Sequence, residues 1–493
     1  MSKDSKYSKT NIITGFFWSY AERCGAQIVT FLVSVVLARL LSPDDYGTIA
    51  IVTVFTTILQ VFVDSGLGTA LVQKKNADEI DFSSVFYFNV LACLVLYAVM
   101  FLAAPYIAKF YGDDSLTAIV RVIGLTIIIS GVKNIQQAYV SRNMLFKRFF
   151  FATLGGTVFS AFVGIGMALR GFGVWALVAQ QISNPAIDTL ILWITVKWRP
   201  RKVFSWKRLQ SLLGYGSRLL ASSLISTTYN NVRNLIIGKL YSTADLAYYN
   251  QGEKFPKLIV GNVNTSIDNV LLPAMSSEQE NKKRVKDMTR RAMKVSVYIM
   301  APLMIGMAFC AETIVRLVLT EKWIQCVPYL RIFCITYMFY PIHTANLSAI
   351  KAMGRSDLYL KMEICKKVVD IILLLVTMNI SVSAMAYSLL ASSVWGQIVN
   401  SWPNRKLLDY PYRNQLMDIL PSIVLACCMG GLVAAIPLLG WPDLPTLIVQ
   451  VLMGAAFYLG GSWLLRMEEF LYLKNSAIKF LQGRHKGKER NKA

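Results

Sequence analysis

Long apolar stretches, parted by short polar gaps, follow one another along nearly the whole chain. At about 1.5 Å of rise per residue, a helix of about twenty residues crosses the hydrocarbon core of a bilayer. The pattern predicts spans over 11–40, 45–72, 81–108, 116–141, 149–170, 173–196, 209–238, 244–275, 291–319, 323–350, 357–378, 381–402, 415–438 and 445–470. The stretches are too long for barrel strands and lack two-residue alternation. The expected fold is an all-α integral membrane protein of about 14 transmembrane helices. Most stretches exceed the minimum length, which implies tilt or helices that project beyond the bilayer. The gaps leave no room for a soluble domain on either side.

The polar positions within the spans repeat. Ala38-Arg39-Leu40-Leu41-Ser42-Pro43-Asp44-Asp45 is echoed by Gly238-Lys239-Leu240-Tyr241-Ser242-Thr243-Ala244-Asp245. In the stretch before the first turn, Ser19, Arg23, Gln27, Thr30 and Ser34 fall at steps of four, four, three and four; Arg218, Ser222, Ser226, Tyr229 and Arg233 use the same steps before the second. Each set lies on one helical face. The simplest account is two pseudo-symmetric six-helix lobes, an N-lobe over 1–196 and a C-lobe over 209–402, related by an axis along the membrane normal. An interfacial linker, 197–208, joins them, with Trp198, Phe204 and Trp206 among bases predicted to lie on the cytoplasmic surface. Two C-terminal helices occupy 403–473, and a basic cytoplasmic tail 474–493.

Charge orients the bundle. Lysine and arginine collect in alternate gaps: one set of loops carries roughly thirty bases and the other about five, the asymmetry that holds basic loops in the cytoplasm. Both termini are therefore expected there. The chain is 55% hydrophobic and 16% charged, with mean hydropathy +0.47, well outside the range of soluble domains. Its net charge of +23 does not indicate nucleic acid, because the bases sit beside spans, where they meet anionic headgroups. The first span is too long and too polar for a cleaved signal peptide and is expected to be kept. The eight cysteines have no CxxC spacing and lie in or near apolar stretches, so neither a disulfide framework nor a metal site is expected.

Ionisable groups at membrane depth are costly and usually face water, a partner or a substrate. Glu22 and Arg23 lie in span 1, Asp64 in span 2, and Arg218 and Arg233 in span 7. In span 8, Asn250, Lys254, Lys257, Asn264 and Asp268 form a further stripe. These are the first two spans of each lobe, so their polar faces could line a shared, net-basic cavity; the alternative is helix-on-helix packing in which Glu22, Asp64 and Asp268 neutralise the bases. In span 11, Glu363, Lys366, Lys367 and Asp370 stand three or four apart and are expected to pair structurally. His343 is read as a polar packing residue, with proton carriage as the alternative. Asp44-Asp45, which resembles a catalytic acid pair, is expected to start span 2, where carboxylates favour the positive helix end.

Leu37-Ala38-Arg39-Leu40-Leu41-Ser42-Pro43-Asp44-Asp45-Tyr46-Gly47, followed by Asp64-Ser65-Gly66-Leu67-Gly68-Thr69-Ala70-Leu71-Val72-Gln73, resembles the amino-terminal signature of bacterial polysaccharide exporters. These flippases for lipid-linked O-antigen, capsule and colanic-acid-type repeat units belong to the multidrug/oligosaccharidyl-lipid/polysaccharide exporter superfamily. The signature covers about the first 75 residues, and the two-lobed pattern of spans extends the likeness more loosely over the chain. The resemblance implies translocation of a polyprenyl-diphosphate oligosaccharide from the inner to the outer leaflet of the bacterial inner membrane by alternating access. In the related peptidoglycan-precursor flippases, a basic central cavity holds an arginine with an acidic neighbour in span 1, and Glu22-Arg23 is similar in place; a base of their span 8 corresponds roughly to Lys254.

The expected substrate-binding residues are then Arg23, Arg218, Lys254, Arg233 and Lys257 for the diphosphate, with Gln27 and Ser222 for sugar. Glu22, Asp64 and Asp268 are candidates for charge balance or a coupling ion. No catalytic residue, cofactor or metal is expected. Besides the lipid-linked oligosaccharide and membrane lipids, polysaccharide polymerase machinery is a candidate partner. Two other readings stand beside this one. A multidrug or organic-cation exporter of the same superfamily would need acids to dominate its site. A membrane polymerase or glycosyltransferase would need a large outer loop or an acid/base cluster.

Overall fold

A computed structural model describes residues 9–475 except Ser65, together with 478; for 9–17, 19–24, Tyr215 and Arg218 it describes no side chains. Among the described residues every regular element is helical. Eight helical segments are long and apolar enough to cross a membrane. The protein is an all-helical, multi-pass membrane protein.

Two compact units divide the chain at Ala247/Tyr248. The first holds α1 (Lys9–Leu40), α2 (Pro43–Asp64), α3 (Leu67–Gln73), α4 (Glu79–Tyr111), α5 (Ser115–Arg142), α6 (Phe146–Leu169), α7 (Val174–Thr195), α8 (Trp206–Leu240) and the start of α9 (Thr243–Ser276). Within it, α6 packs along α7 and α1, α4 along α5, and α2 against α5 and α8. Small residues set the spacing, because in lipid the helices gain little from burying carbon and must approach closely to attract one another. A Cβ on Gly156 of α6 would come within 2.8 Å of the Asn184 carbonyl oxygen on α7, and one on Gly131 of α5 within 2.5 Å of Cys93 Sγ on α4. The predicted second span is broken at Gly66, whose φ of 70° favours glycine.

One of the three linker aromatics is not at the surface. Phe204 and Trp206 are exposed, as an interfacial segment requires, but Trp198 is buried. Its ring packs against Phe82, Phe86 and Tyr139, and its carbonyl accepts from Gln136 Nε2 at 3.1 Å. A flat indole among bases suits either a headgroup layer or a pocket; here α4 and α5 supply the pocket. The linker backbone is also held at the head of α4: the Arg201 and Ser205 amides donate to Ser83 Oγ (3.0 Å) and Ser84 Oγ (2.9 Å). Arg201 pairs with Glu79, and Arg208 with Asp78. The Arg208 guanidinium holds the Asp78 carboxyl below the usual range. A depressed acid stabilises at pH above its unfolded value and loses that contribution as pH falls through the folded one. Arg208→Ala should therefore move acid release of the linker to higher pH, toward the ordinary aspartate value of about 3.9. Cleavage at Arg201 and Lys202 by an acid-tolerant protease measures it; an unchanged profile would remove Arg208 from the contact.

The second unit continues α9 and adds α10 (Lys282–Phe309), α11 (Ala311–Val318), a short 3₁₀ turn (Glu321–Cys326), α12 (Val327–Met338), α13 (Tyr340–Ala352), α14 (Ser356–Thr377), α15 (Val382–Ser401), α16 (Asn404–Leu407), α17 (Tyr412–Ala435), a second 3₁₀ turn (Ile436–Leu439) and α18 (Asp443–Leu464). The predicted tenth span is divided between Met338 and Tyr340, where Pro341 cannot donate back to the preceding turn. The basic segment 282–291 is helix rather than loop: Asn281 caps it by accepting from the Arg284 amide (3.1 Å), and lysine and arginine extend it readily. The last two helices are built into this unit. α17 packs along α10, Arg290 forks onto Asp418 (2.7 and 2.6 Å), and Lys294 meets Glu468 (2.7 Å) and Glu469 (3.0 Å).

Candidate functional site

The repeated turns fold alike. At the first, Ser42 Oγ accepts from the Asp45 amide (3.2 Å) while Asp45 Oδ2 takes the Ser42 amide (3.0 Å) and hydroxyl (2.7 Å). At the second, Ser242 and Asp245 do the same at 3.0, 3.3 and 2.7 Å. Each is a reciprocal capping box that begins a helix, with serine before it and aspartate three residues on. Asp44-Asp45 thus starts α2, as expected. The two turns also meet: Thr243 Oγ1 donates to Asp44 Oδ1 (2.7 Å), and a Cβ on Gly47 would fall on the Thr243 carbonyl. Beside them, Lys239 reaches the Phe110 carbonyl and lies 4.5 Å over that ring, and Tyr111 donates to the Leu235 carbonyl at 3.4 Å.

Of the predicted site residues in the first unit, the side chains of Glu22, Arg23 and Arg218 lie outside the described residues. Gln27 on α1 and Ser222 on α8 are exposed, whereas Arg233 is only 7% exposed. Asp64 ends α2 and accepts from Asn134 Nδ2 (3.0 Å) and Gln60 Nε2 (3.4 Å). Next to Asn134, Lys133 Nζ pairs with Asp188 Oδ2 at 3.1 Å, inside the bundle. Sequence reading missed Lys133, Asn134 and Asp188. The signal was there: Asp188 is the sole charged residue of the apolar run 173–196, and a lone acid at that depth needs a cation.

In the second unit, α9 carries the other candidates. Lys254 is half-buried, and among the described residues it has no ion-pair partner. Lys257 is exposed and paired with Glu253 (3.2 Å), which also accepts from the Tyr337 hydroxyl. Its charge is therefore matched within its own helix, and Glu253 is a further residue the sequence reading passed over. Asp268 accepts from Ser348 Oγ at 2.9 Å. On α14, Glu363 pairs with Lys366 at 2.6 Å, as the spacing predicted. His343 Nδ1 lies 3.0 Å from Asn400 Nδ2 and its ring stands edge-on to Tyr340, a packed polar position.

Close by, Asn346, Ser401, Asn404 and Gln415 form a buried hydrogen-bonded cluster, with Asn346 donating to Gln415 Oε1 (2.9 Å) and Asn404 to Asn346 Oδ1 (2.6 Å). Fully polar, it joins α13, α15, α16 and α17 and fixes their register. Among the described residues, no group of three His, Cys, Asp or Glu side chains could hold a metal ion.

Residues 36–328 match the family described as polysaccharide biosynthesis protein. The chain is similar to the teichuronic acid biosynthesis protein TuaB of Bacillus subtilis, 24% identical over 354 residues, 70% of this chain and 72% of that one. It is also similar to the succinoglycan biosynthesis transport protein ExoT of Rhizobium meliloti, 21% identical over 446 residues, 89% of each chain. Among solved structures, its fold resembles that of the lipid II flippase MurJ in an inward closed conformation, with a TM-score of 0.71 at 16% identity, over 92% of this chain and 99% of that one.

Proposed function

This chain belongs to the polysaccharide biosynthesis protein family, and from that premise we propose that it is a flippase for polyprenyl-diphosphate-linked oligosaccharide repeat units, carrying them from the inner to the outer leaflet of a bacterial cell membrane for surface polysaccharide synthesis. The observation that carries the assignment is Lys254, a half-buried ammonium inside an apolar bundle with no ion-pair partner among the described residues. A cation at that depth calls for an anion, and a diphosphate supplies about two negative charges. We assign Arg23, Arg218, Arg233 and Lys257 to the same substrate, Gln27 and Ser222 to its sugar, and Glu22, Asp64 and Asp268 to charge balance or a coupling ion. The polyprenyl tail stays in lipid. No bond is made or broken, so the protein is a transporter and not an enzyme.

The transport cycle is alternating access in two six-helix lobes with two further helices, fourteen spans in all, and both termini in the cytoplasm. The two Ser–Asp turns support that repeat because they build the same local structure about two hundred residues apart. The charge asymmetry of the loops supports the orientation: a reporter fused after Asp443 should behave as external and one after Lys406 as internal. The reverse at either site would overturn the span count.

The functional test uses cells that lack the protein. Lipid-linked repeat units should accumulate with their sugars protected from an external probe, and surface polymer should disappear; the intact gene should restore both. Continued export of single, unpolymerised units would instead assign the protein to polymerisation.

A further inference from the structure

A cavity of about 960 Å³ opens on the second unit among α10, α11, α12, α17 and α18, and its lining includes none of the residues assigned to the diphosphate. Its lining divides sharply. At one end, where α11, the start of α12 and the start of α18 converge, stand Glu312, Arg316, Arg331 and Asp443. Apart from Thr313 and Thr446, the rest is apolar and runs from Pro437 in the second 3₁₀ turn down α17 to Ile423, a length of about 20 Å at the helical rise. A charged mouth above a long apolar floor has the dimensions and polarity of a lipid molecule. The charged end carries the turns that precede Glu321 and Asp443, the side that the loop asymmetry places outside.

The charges at the mouth select the headgroup. Arg316 is already satisfied between Glu312 (2.9 Å) and Glu321 (3.2 Å). Arg331 uses Nε on the Ala308 carbonyl (3.2 Å), and among the described residues it has no carboxylate partner. Asp443 likewise has no cation within ion-pair distance among the described residues, although it lines the same cavity. One guanidinium and one carboxylate thus face a common space without meeting. An anionic lipid would leave Asp443 opposed by like charge, and a cation would do the same to Arg331. A zwitterion satisfies both.

We propose that this cavity is an outer-leaflet binding site for a zwitterionic phospholipid, its phosphate on Arg331, its primary ammonium on Asp443 and one chain along α17. The guanidinium grips phosphate through paired N–H donors, and a primary ammonium has three donors for the carboxylate, which a trimethylammonium head lacks. The site is independent of the flippase assignment.

The test is native mass spectrometry of the full chain in detergent with equal amounts of phosphatidylethanolamine, phosphatidylglycerol and phosphatidylcholine. The wild-type chain should retain phosphatidylethanolamine preferentially, a result that needs no variant. Arg331→Gln and Asp443→Asn, each verified as folded by its melting curve, should each lower that retention about tenfold, as loss of one charge-assisted contact does. Asp443→Asn should also abolish the preference over phosphatidylcholine. Equal retention of all three headgroups, or a preference unchanged in both variants, would overturn the proposal. So would preferential retention of phosphatidylglycerol that depends on Arg331 only, which would mark a site for anionic lipid phosphates, the substrate's included.

Discussion

Replacing Arg23, Arg218 or Lys254 by alanine is expected to lower surface polysaccharide display more than tenfold, with protein levels unchanged. Each substitution leaves a dianion under-compensated in a poorly hydrated site, where one charge-assisted hydrogen bond is worth about 1.5–3 kcal/mol. Charge should count for more than shape, so Arg23→Lys and Arg218→Lys should keep part of the activity, less if the guanidinium binds in bidentate fashion. Two controls sharpen the expectation. Lys257→Ala should cost less than Lys254→Ala, because Glu253 already neutralises Lys257 at 3.2 Å. Ser222→Ala, on an exposed face of α8, should cost less than the loss of any of these bases, because it removes one neutral hydrogen bond to sugar and no charge. Full display from a well-expressed triple alanine variant would show that these bases are not the substrate site.

Asp188→Asn should destabilise the protein by about 3–5 kcal/mol, the usual result of stranding one member of a buried ion pair. The substitution keeps the side-chain volume, which matters because the Asp188 Cβ closely faces Gly156. Lys133, only 17% exposed, would then have no carboxylate within pairing distance among the described residues. Lys133→Met combined with Asp188→Asn removes the stranded charge and should recover most of the loss. Unfolding in mixed micelles measures both variants, with the coupling taken from the complete double-mutant cycle. Equal stability of Asp188→Asn and wild type would mean that the pair is solvated, not buried.

The parts that could be read from sequence were those governed by local rules. Membrane helices announce themselves by length and apolarity, and the Ser–Asp turns by a capping pattern contained in four residues. Helix ends were less legible, since hydropathy marks the bilayer and not the helix: α10 begins at Lys282 instead of 291 because basic residues are good helix formers that simply do not belong in lipid. Contacts between distant segments left the faintest trace. Trp198 looked interfacial because its pocket is made by Phe82, Phe86 and Tyr139, far upstream. Lys133 and Asp188 do not appear among the sequence candidates, because their meaning shows only when α5 and α7 lie side by side. Conversely, Lys257 was chosen for its place on a polar stripe, and the stripe omitted Glu253, which stands one turn away and pairs with it.

The contacts of α10 with the end of the chain bear on how the protein is made. Arg290 and Lys294 leave the ribosome well before Asp418, Glu468 and Glu469, their partners at 2.6–3.0 Å. Until α17 and the segment after α18 arrive, those two cations have only water, lipid phosphate or an insertion factor to face. A chain cut short before Tyr412 would retain all the bases assigned to substrate and still present an uncovered α10 flank with two unmatched positive charges. The order of synthesis is thereby written into the fold: α17 and the segment after α18 neutralise an α10 flank whose bases entered the membrane long before them.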